Sequence, residues 1–437
     1  MNTSCKEIFG NMDLSGDTTV SSYVAINTAS KTAAPAEEFD LSITKIGDGT
    51  VTWSSSDPAI AEVQGAGLSA KVIAKKSGDA TITANVAAAG NYQAGSAKCA
   101  VAVRVQNEAQ LKAEIAAGNE AILAGNITLS EPLDLSGKTP IIRGEKSKPA
   151  TITMGSETYI TTNNGFTIQY VNFDATSLTK PFIQMADTTG TGVHNKVLFK
   201  GVDGYSNINQ NAWIISNPVK IENCMIKNLS TQLYYANKYS WALDEFTLND
   251  NIIQLANNTT AFIDMDGSSC AIFKNLNITN NTICNIIASS SSKFFIKGSN
   301  ASNTQPKKIY GPDGVEGSYK WNISNNTMIK SWDKKDFANA TPSISTVTIT
   351  CKGNIFLDVY RLQKIFGNCK KDIDKTTNFI YGNEITIDNT DKSTYCTESD
   401  PGFTAPTAAI DLTKENGGLN LTPSGAAAAA GDPRWIK

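Results

Sequence analysis

Ile278-Thr279-Asn280-Asn281-Thr282-Ile283 decides the fold, because the chain returns to it repeatedly with the second asparagine kept in place. It recurs as Leu248-Asn249-Asp250-Asn251-Ile252-Ile253, as Ile323-Ser324-Asn325-Asn326-Thr327-Met328 and as Cys351-Lys352-Gly353-Asn354-Ile355-Phe356. A further copy is Ile380-Tyr381-Gly382-Asn383-Glu384-Ile385, and a degenerate one, Ile221-Glu222-Asn223-Cys224-Met225-Ile226, carries cysteine in the slot. The slots at 224, 251, 281, 326, 354 and 383 lie 27, 30, 45, 28 and 29 residues apart. A period in the twenties marks a repeat architecture, whose units bury their apolar faces against one another.

Each copy alternates apolar and polar residues before the slot and resumes with an apolar residue after it. Alternation marks a half-buried strand, and Asn-Asn, Gly-Asn or Asp-Asn marks a bend. Asparagine accepts a left-handed backbone, so the chain can turn a corner between two strands there. In stacked coils the same amide recurs at one strand spacing, about 4.8 Å, and can bond its copies above and below. About 28 residues per turn suits a parallel β-helix with three strands per coil. Leucine-rich repeats would need a leucine consensus, and propeller blades about 40 residues with hairpin turns.

Further strands precede the slots at Phe182-Ile183-Gln184-Met185, Ala212-Trp213-Ile214-Ile215, Phe262-Ile263-Asp264-Met265-Asp266 and Phe294-Phe295-Ile296-Lys297. The 45-residue step is a normal coil with an insertion. Residues 299–318, rich in Ser, Asn, Pro, Gly and Lys and without period, are expected to protrude as a loop.

At 437 residues the expectation is two to three domains. At a net charge of −3 a nucleic-acid footprint is not expected. No apolar run approaches the roughly 18 residues of a membrane helix. The eight cysteines form no CxxC pair, which argues against a zinc ribbon or thioredoxin-like site. Cys224 and Cys351 fall in interior slots and are expected to act as small hydrophobes.

Residues 1–14 read as a leader or linker, and residues 15–105 as short strands with turn signals. The centre of the latter is Val51-Thr52-Trp53-Ser54-Ser55-Ser56-Asp57-Pro58, followed later by Gly78-Asp79-Ala80-Thr81-Ile82. Trp53 is expected to anchor a sandwich core and Asp57-Pro58 to form a turn. The segment resembles the bacterial immunoglobulin-like family, whose hallmark is a tryptophan strand followed by Ser-Ser-Asp-Pro and then Gly-x-Ala-Thr-Ile. That resemblance implies a spacer or adhesion module.

From Asn107 to Gly118 a capping asparagine, Leu111 and Ile115 four apart, and a terminal glycine predict a short helix over the first coil of a solenoid spanning 106–437. Ala121–Leu129 and Pro140–Gly144 follow as strands. This order resembles the start of the pectate-lyase-like superfamily, which implies a right-handed parallel β-helix. Near the C-terminus, Asp400-Pro401-Gly402-Phe403, Asp411-Leu412 and Gly431-Asp432-Pro433-Arg434-Trp435 resemble the closing motif of exported β-helix proteins of Bacteroides-type gut bacteria. Many of those belong to families of unknown function, often encoded beside glycan-uptake systems. Residues 384–437 lack the period and are expected to cap the last coils. The expected fold is therefore all-β, an immunoglobulin-like sandwich followed by a right-handed parallel β-helix.

The resemblance also implies a secreted or outer-membrane, cell-surface protein. No secretory signal is present in this chain, so the expectation is that one has been removed. Thr3-Ser4-Cys5 reads either as the remnant of a lipoprotein cleavage site, with Cys5 carrying an outer-membrane lipid anchor, or as a plain unpaired cysteine. A monomer is expected.

His194 is the only histidine, and a Ser/His/Asp or Cys/His mechanism would have to use it. It is expected at a coil corner, without a nucleophile elbow. Carboxylates are the better candidates. Asp264 and Asp266 alternate on one strand and share a face. Facing outward, they could ligate Ca²⁺ or act as acid and base on a glycosidic bond; otherwise they belong to an ordinary solvated strand face. Asp244 and Glu245 are placed one coil earlier and Lys297, a candidate base, one coil later, all within reach if registers match. Aromatic side chains stack on sugar rings. Tyr234, Tyr235, Tyr239 and Trp241 crowd one stretch, and Tyr360 with Arg361 could grip a uronate. The same residues could equally be buried loop packing or a surface pair. The expected partner is a polysaccharide, held in an extended groove. The alternatives are a polysaccharide lyase or glycoside hydrolase, and an adhesin. The basic-residue motif of pectate lyases, the Asp-Asp pair of polygalacturonases and the Gln-Asp motif of pectin esterases are all missing.

Overall fold

The structure is a computed structural model, which describes residues 19–162, 166–180, 182–185, 192–195, 198–200, 219–229, 232–235, 242–256, 261–264, 272–286, 295–297, 319–332, 337, 347–362 and 370–437. The leader at 1–14 and the insertion at 299–318 lie outside the described residues, as does the strand expected at Ala212–Ile215. The chain divides into two compact units, Met1–Val105 and Gln106–Lys437.

In the first unit, alternating small apolar residues build a β-sandwich of two four-stranded sheets. One runs Tyr23–Ile26, Glu38–Ile46, Ser69–Ala74, Ala61–Ala66; the other Ser30–Ala33, Gly95–Val103, Gly78–Val86, Val51–Ser55. Pairing is antiparallel except between Ser30–Ala33 and Gly95–Val103. Leu41, Val72, Ile82 and Val101 fill the core. Trp53 does not anchor its centre. The ring is only half-buried against the core's edge, and its indole N–H donates to the Gly67 carbonyl at 3.0 Å. Asp57 makes the expected turn, accepting from the Ala59 amide at 2.9 Å through its side chain and from Ile60 and Ala61 through its carbonyl.

The second unit is a parallel β-helix. It opens with the helix Glu108–Ala117, capped by the Asn107 side chain on the Gln110 amide and stopped by Gly118 at φ 73°. Leu111 and Ile115 are buried beneath it. Each coil then runs through three sides. Among the described residues, side A is a ten-stranded parallel sheet that includes Ala242–Asn249, Ile272–Thr279 and Tyr319–Ser324. Side B is an eleven-stranded parallel sheet that includes Ile252–Leu255, Thr282–Asn285 and Thr327–Ile329. Side C consists of three-stranded pieces, such as Tyr234–Tyr235, Ile263–Asp264 and Ile296–Lys297. The core is built of like on like. Ile253, Ile283, Met328, Phe356 and Ile380 stack on side B, and Phe246, Leu276, Trp321 and Ile349 on side A. Phe262, Phe295, Phe337 and Trp332 form an aromatic pile on side C, with successive ring centroids 4.7, 4.8 and 4.6 Å apart.

The repeat's two polar residues divide the corner between sides A and B. The first takes the left-handed backbone: Asn223, Asp250, Asn280, Asn325 and Gly353 have φ of 55°, 58°, 57°, 57° and 67°. The second turns inward and builds the ladder. Asn251, Asn281, Asn326, Asn354 and Asn378 are fully buried. Each Oδ1 accepts from the backbone amide of the preceding rung, and each Nδ2 donates to a side-A carbonyl of the preceding coil. Amide to amide, the bonds measure 2.9, 3.0, 3.0 and 2.9 Å. Buried amides in water's absence must satisfy every polar atom, and this ladder does so with copies of itself.

Two sequence expectations are corrected. The last rung is Asn378, and Phe379–Tyr381 follows it on side B; Asn383 sits in the next turn, where its amide donates to Asp358 at 2.7 Å. His194 is not at a corner but inside the strand Gly192–Asn195 of side A, between Ile168 and Ile221.

The tail crosses the outer face of side B. Ile410, Leu419, Leu421 and Trp435 pack on Ile252, Cys284, Ile329 and Leu357. The Gly431–Trp435 motif is its clasp. Gly431 (φ 89°) runs so close to Thr327 that a Cβ would lie 2.5 Å from its hydroxyl. Asp432 accepts from the Thr282 hydroxyl at 2.8 Å, the Trp435 indole donates to the same hydroxyl at 2.6 Å, and Arg434 reaches Asp250 at 2.5 Å.

Candidate functional site

The outer face of side A remains uncovered by the tail's packing, and register makes it orderly. Because side chains alternate, every second residue of each strand points outward, and parallel in-register stacking turns those residues into columns. One column runs Glu245, Asn275, Lys320, Thr348; the next runs Thr247, Asn277, Asn322, Thr350. A third is Asn249, Thr279, Ser324, Lys352. Between the first two lies a shallow groove of about 480 Å³. Its amides and hydroxyls are partly used: Asn277 donates to Thr247 at 3.3 Å, Thr279 to Asn249 at 3.0 Å and Ser324 to Asn322 at 2.6 Å. Lys220 and Glu245 pair across the lane at 3.3 Å, as do Lys352 and Asp372 at 2.8 Å. The lane is polar and of mixed sign, built from groups that both donate and accept.

The residues singled out in the sequence fall elsewhere. Asp264 is 6 % exposed on side C. Its neighbour Ile263 points into the core with Tyr234 and Ile296, so Asp264 occupies the alternate face yet is buried. Register brings Tyr235, Asp264 and Lys297 into one column. It does not bring Asp244 or Glu245 there, because both belong to a strand of side A. The reason is the order of sides within a coil: a residue before the asparagine corner and one after it cannot share a sheet. Asp266, Tyr239 and Trp241 lie outside the described residues. Among the described residues no group of three or more His, Cys, Asp or Glu converges.

Tyr234 is corrected from sugar stacker to core: it is 2 % exposed, its ring lies edge-on to Phe246 at 5.0 Å, and burial pushes its phenol well above the usual range. Arg361 lies over the Tyr360 ring at 4.8 Å, both half-buried. Nearby Asp358 is buried and ties down the next turn, its Oδ1 accepting from the Asn383 and Glu384 amides at 2.7 and 2.8 Å. The cysteines Cys284 and Cys351 are buried and free, their thiols pushed up to about 12 by burial, which makes them inert packing groups.

Sequence reading missed the side-A lane, although its signal was present: the polar residues between the apolar ones of each copy are Asn, Thr and Lys rather than a random polar mixture. Residues 123–286 match a family described as a domain of unknown function (DUF4957). No curated protein and no solved structure matches the chain. The matched stretch contains the first half of the side-A lane and ends before the tail.

Proposed function

We propose that this is an exported or cell-surface protein that binds a polysaccharide along the outer face of side A, with the immunoglobulin-like unit as a spacer. It reads as a pectate-lyase-like β-helix of the type found in Bacteroides-like gut bacteria, on the sequence resemblances given above. The observation that carries the reading is the register-matched lane of Asn275, Asn277, Lys320, Asn322, Thr348 and Thr350. A glycan chain repeats hydroxyl donors and acceptors along its length, and amides and hydroxyls repeating at a strand spacing of about 4.8 Å meet them at successive coils. The test is a glycan array followed by titration calorimetry on the full chain. The Asn277→Ala/Asn322→Ala double variant is expected to weaken the best glycan at least tenfold. Absence of binding to any glycan, or undiminished binding by the double variant, defeats the reading.

A second reading, a polysaccharide lyase acting on a uronate glycan, is favoured by one observation, the alignment of Tyr235, Asp264 and Lys297. Lys297, as the neutral amine, would take the proton beside the uronate carboxylate, a carbon–carbon double bond would form as the bond to the leaving sugar oxygen breaks, and that oxygen would take a proton from water. Ultraviolet absorbance of an unsaturated product, sought on uronate polysaccharides with and without calcium, checks it; no absorbance change on any of them ends it.

A further inference from the structure

Among the described residues the two sheets of the first unit end in four edge strands, and the four are not alike. An open edge presents unpaired N–H and C=O groups, so folded chains blunt it with charges, bulges or a cover. Tyr23–Ile26 is closed by a neighbouring turn. Just before it, the Val20 amide donates to Asn91 and its carbonyl accepts from Gln93, and Val24 lies so near Gly95 that a Cβ there would be 2.9 Å away. Ser30–Ala33 carries Lys31, paired with Glu37 at 2.8 Å. Ala61–Ala66 carries Glu62, paired with Lys75, and Gly65 at φ 139°. Val51–Ser55 has none of these devices. Its Val-Thr-Trp-Ser-Ser holds no charge, proline or glycine, and its register with Gly78–Val86 is unbroken.

The ladder bonds fix which groups of this strand lie open. Thr50 accepts from the Ala87 amide and the Ser56 amide donates to Thr81, both at 2.9 Å. Antiparallel pairs alternate between bonded and non-bonded, so Thr52 and Ser54 bond toward Gly78–Val86. The N–H and C=O groups of Val51, Trp53 and Ser55 therefore point away from the sheet. Beside them the Trp53 ring is only half-buried, and Leu68, next to the Gly67 carbonyl that the indole binds, is 55 % exposed. Thr52 and Ser54 are exposed on the outer face.

The strand complements itself. We propose that two copies of this chain pair through the edge, Val51–Ser55 running antiparallel to its own copy about a two-fold axis at Trp53, in place of the monomer expected from the sequence. In that register Trp53 meets Trp53 and Val51 meets Ser55 as hydrogen-bonded pairs, which uses every open group of the strand. Thr52 meets Ser54 as a non-bonded pair, the kind whose side chains lie closest, and no like charges oppose each other. Each half-buried Trp53 ring gains an aromatic neighbour. A two-fold contact is isologous and closes at two copies. One strand pair is a small interface, so the dimer is weak and depends on concentration. The proposal does not rest on the side-A reading, because the pairing uses the first unit alone.

Sedimentation velocity of the full chain over a wide range of concentration tests it, and a monomer–dimer equilibrium is expected. Thr52→Lys/Ser54→Lys sets lysine opposite lysine across the axis and should weaken the dimer at least tenfold. Thr52→Lys/Ser54→Glu sets lysine opposite glutamate and should keep the dimer or tighten it. Both positions are exposed, so the Tm of dilute protein should be the same in the two variants and the parent. A chain that stays monomeric at every concentration overturns the proposal and leaves the edge to a strand of another protein or to water. A dimer that both double variants weaken equally, or that neither changes, overturns it as well.

Discussion

Sides A and B are built by the same coils and joined at the same corner, yet their outer faces have opposite fates. Side B turns out Ile252, Cys284, Ile329 and Leu357, which are buried under Ile410, Leu419, Leu421 and Trp435. Side A turns out Thr, Asn, Lys and Glu in columns that the tail leaves alone. The inner faces are equally apolar, so the difference lies wholly in every second residue. An apolar outer face needs a cover, whereas a polar one can meet water or a ligand. Here the cover comes from the chain itself, and among the described residues the tail's apolar packing lies on side B.

Removing residues 400–437 should break the contrast most severely. Uncovering side B and losing four large apolar side chains, at about 1.5–3 kcal/mol each, should cost upward of about 6 kcal/mol. Thermal unfolding and dye binding to exposed apolar surface would report it; an unchanged Tm would show that the tail is an appendage. Trp435→Ala alone should cost about 3–5 kcal/mol, the usual figure for a buried aromatic, and its loss includes the bond to Thr282.

The ladder at the shared corner comes next. Asn281→Ala removes the acceptor of the Asn251 amides and strands the Leu248 carbonyl, so a loss of about 3 kcal/mol is expected at about 1–3 kcal/mol per orphaned group. Asn280→Ala, one residue earlier, loses a left-handed preference and two side-chain bonds nearer the surface, to Asn249 and from Asn325, and should cost about 1–2 kcal/mol. Equal effects in denaturant titrations would contradict the division of labour between the two positions.

The clasp of side B should respond to pH. Burial raises the Asp432 carboxyl from 3.8 to about 6, despite Arg434 and the Thr282 hydroxyl, which pull it down. Its proton therefore binds the folded state more tightly than the unfolded one, and that contribution is full below about pH 4 and lost as pH rises through 6. Between pH 7 and pH 5 the tail should gain on the order of 1 kcal/mol, and Asp432→Asn should flatten the profile. Glu108 runs the other way: burial pushes it up, but bonds from Lys112 and Ser130 hold it at about 2, so its contribution is present above about 4.5 and fails only as pH falls toward 2. A rise in stability from pH 5 to pH 7 would refute the account. The smallest stability effect belongs to side A, where Asn277→Ala/Asn322→Ala should move stability by less than about 0.5 kcal/mol while weakening the proposed glycan binding at least tenfold.

Much of this was legible in the chain. Asn281 and its copies announced a corner and a ladder, and Asn107 to Gly118 announced the helix, because capping and left-handed turns are decided by a few adjacent residues. The errors arose where a distant partner decides. Asn383 resembled a rung, but the rung is the residue that follows the strand of side A and meets Asn354, which is Asn378. Tyr234 resembled a surface aromatic, but its strand register puts it against Phe246. Asp244 and Asp264 looked like neighbours by count, yet the corner between them sends them to different sides.

By itself, then, the sequence determined the period, the corner residues and the alternation that makes each strand half-buried, since these depend on backbone sterics and local hydrogen bonds. The tertiary structure alone decided which outer face is covered and which column Asp264 joins. Those follow from register between strands roughly 20 to 50 residues apart and from a tail that returns more than 150 residues along the chain to meet Gln254.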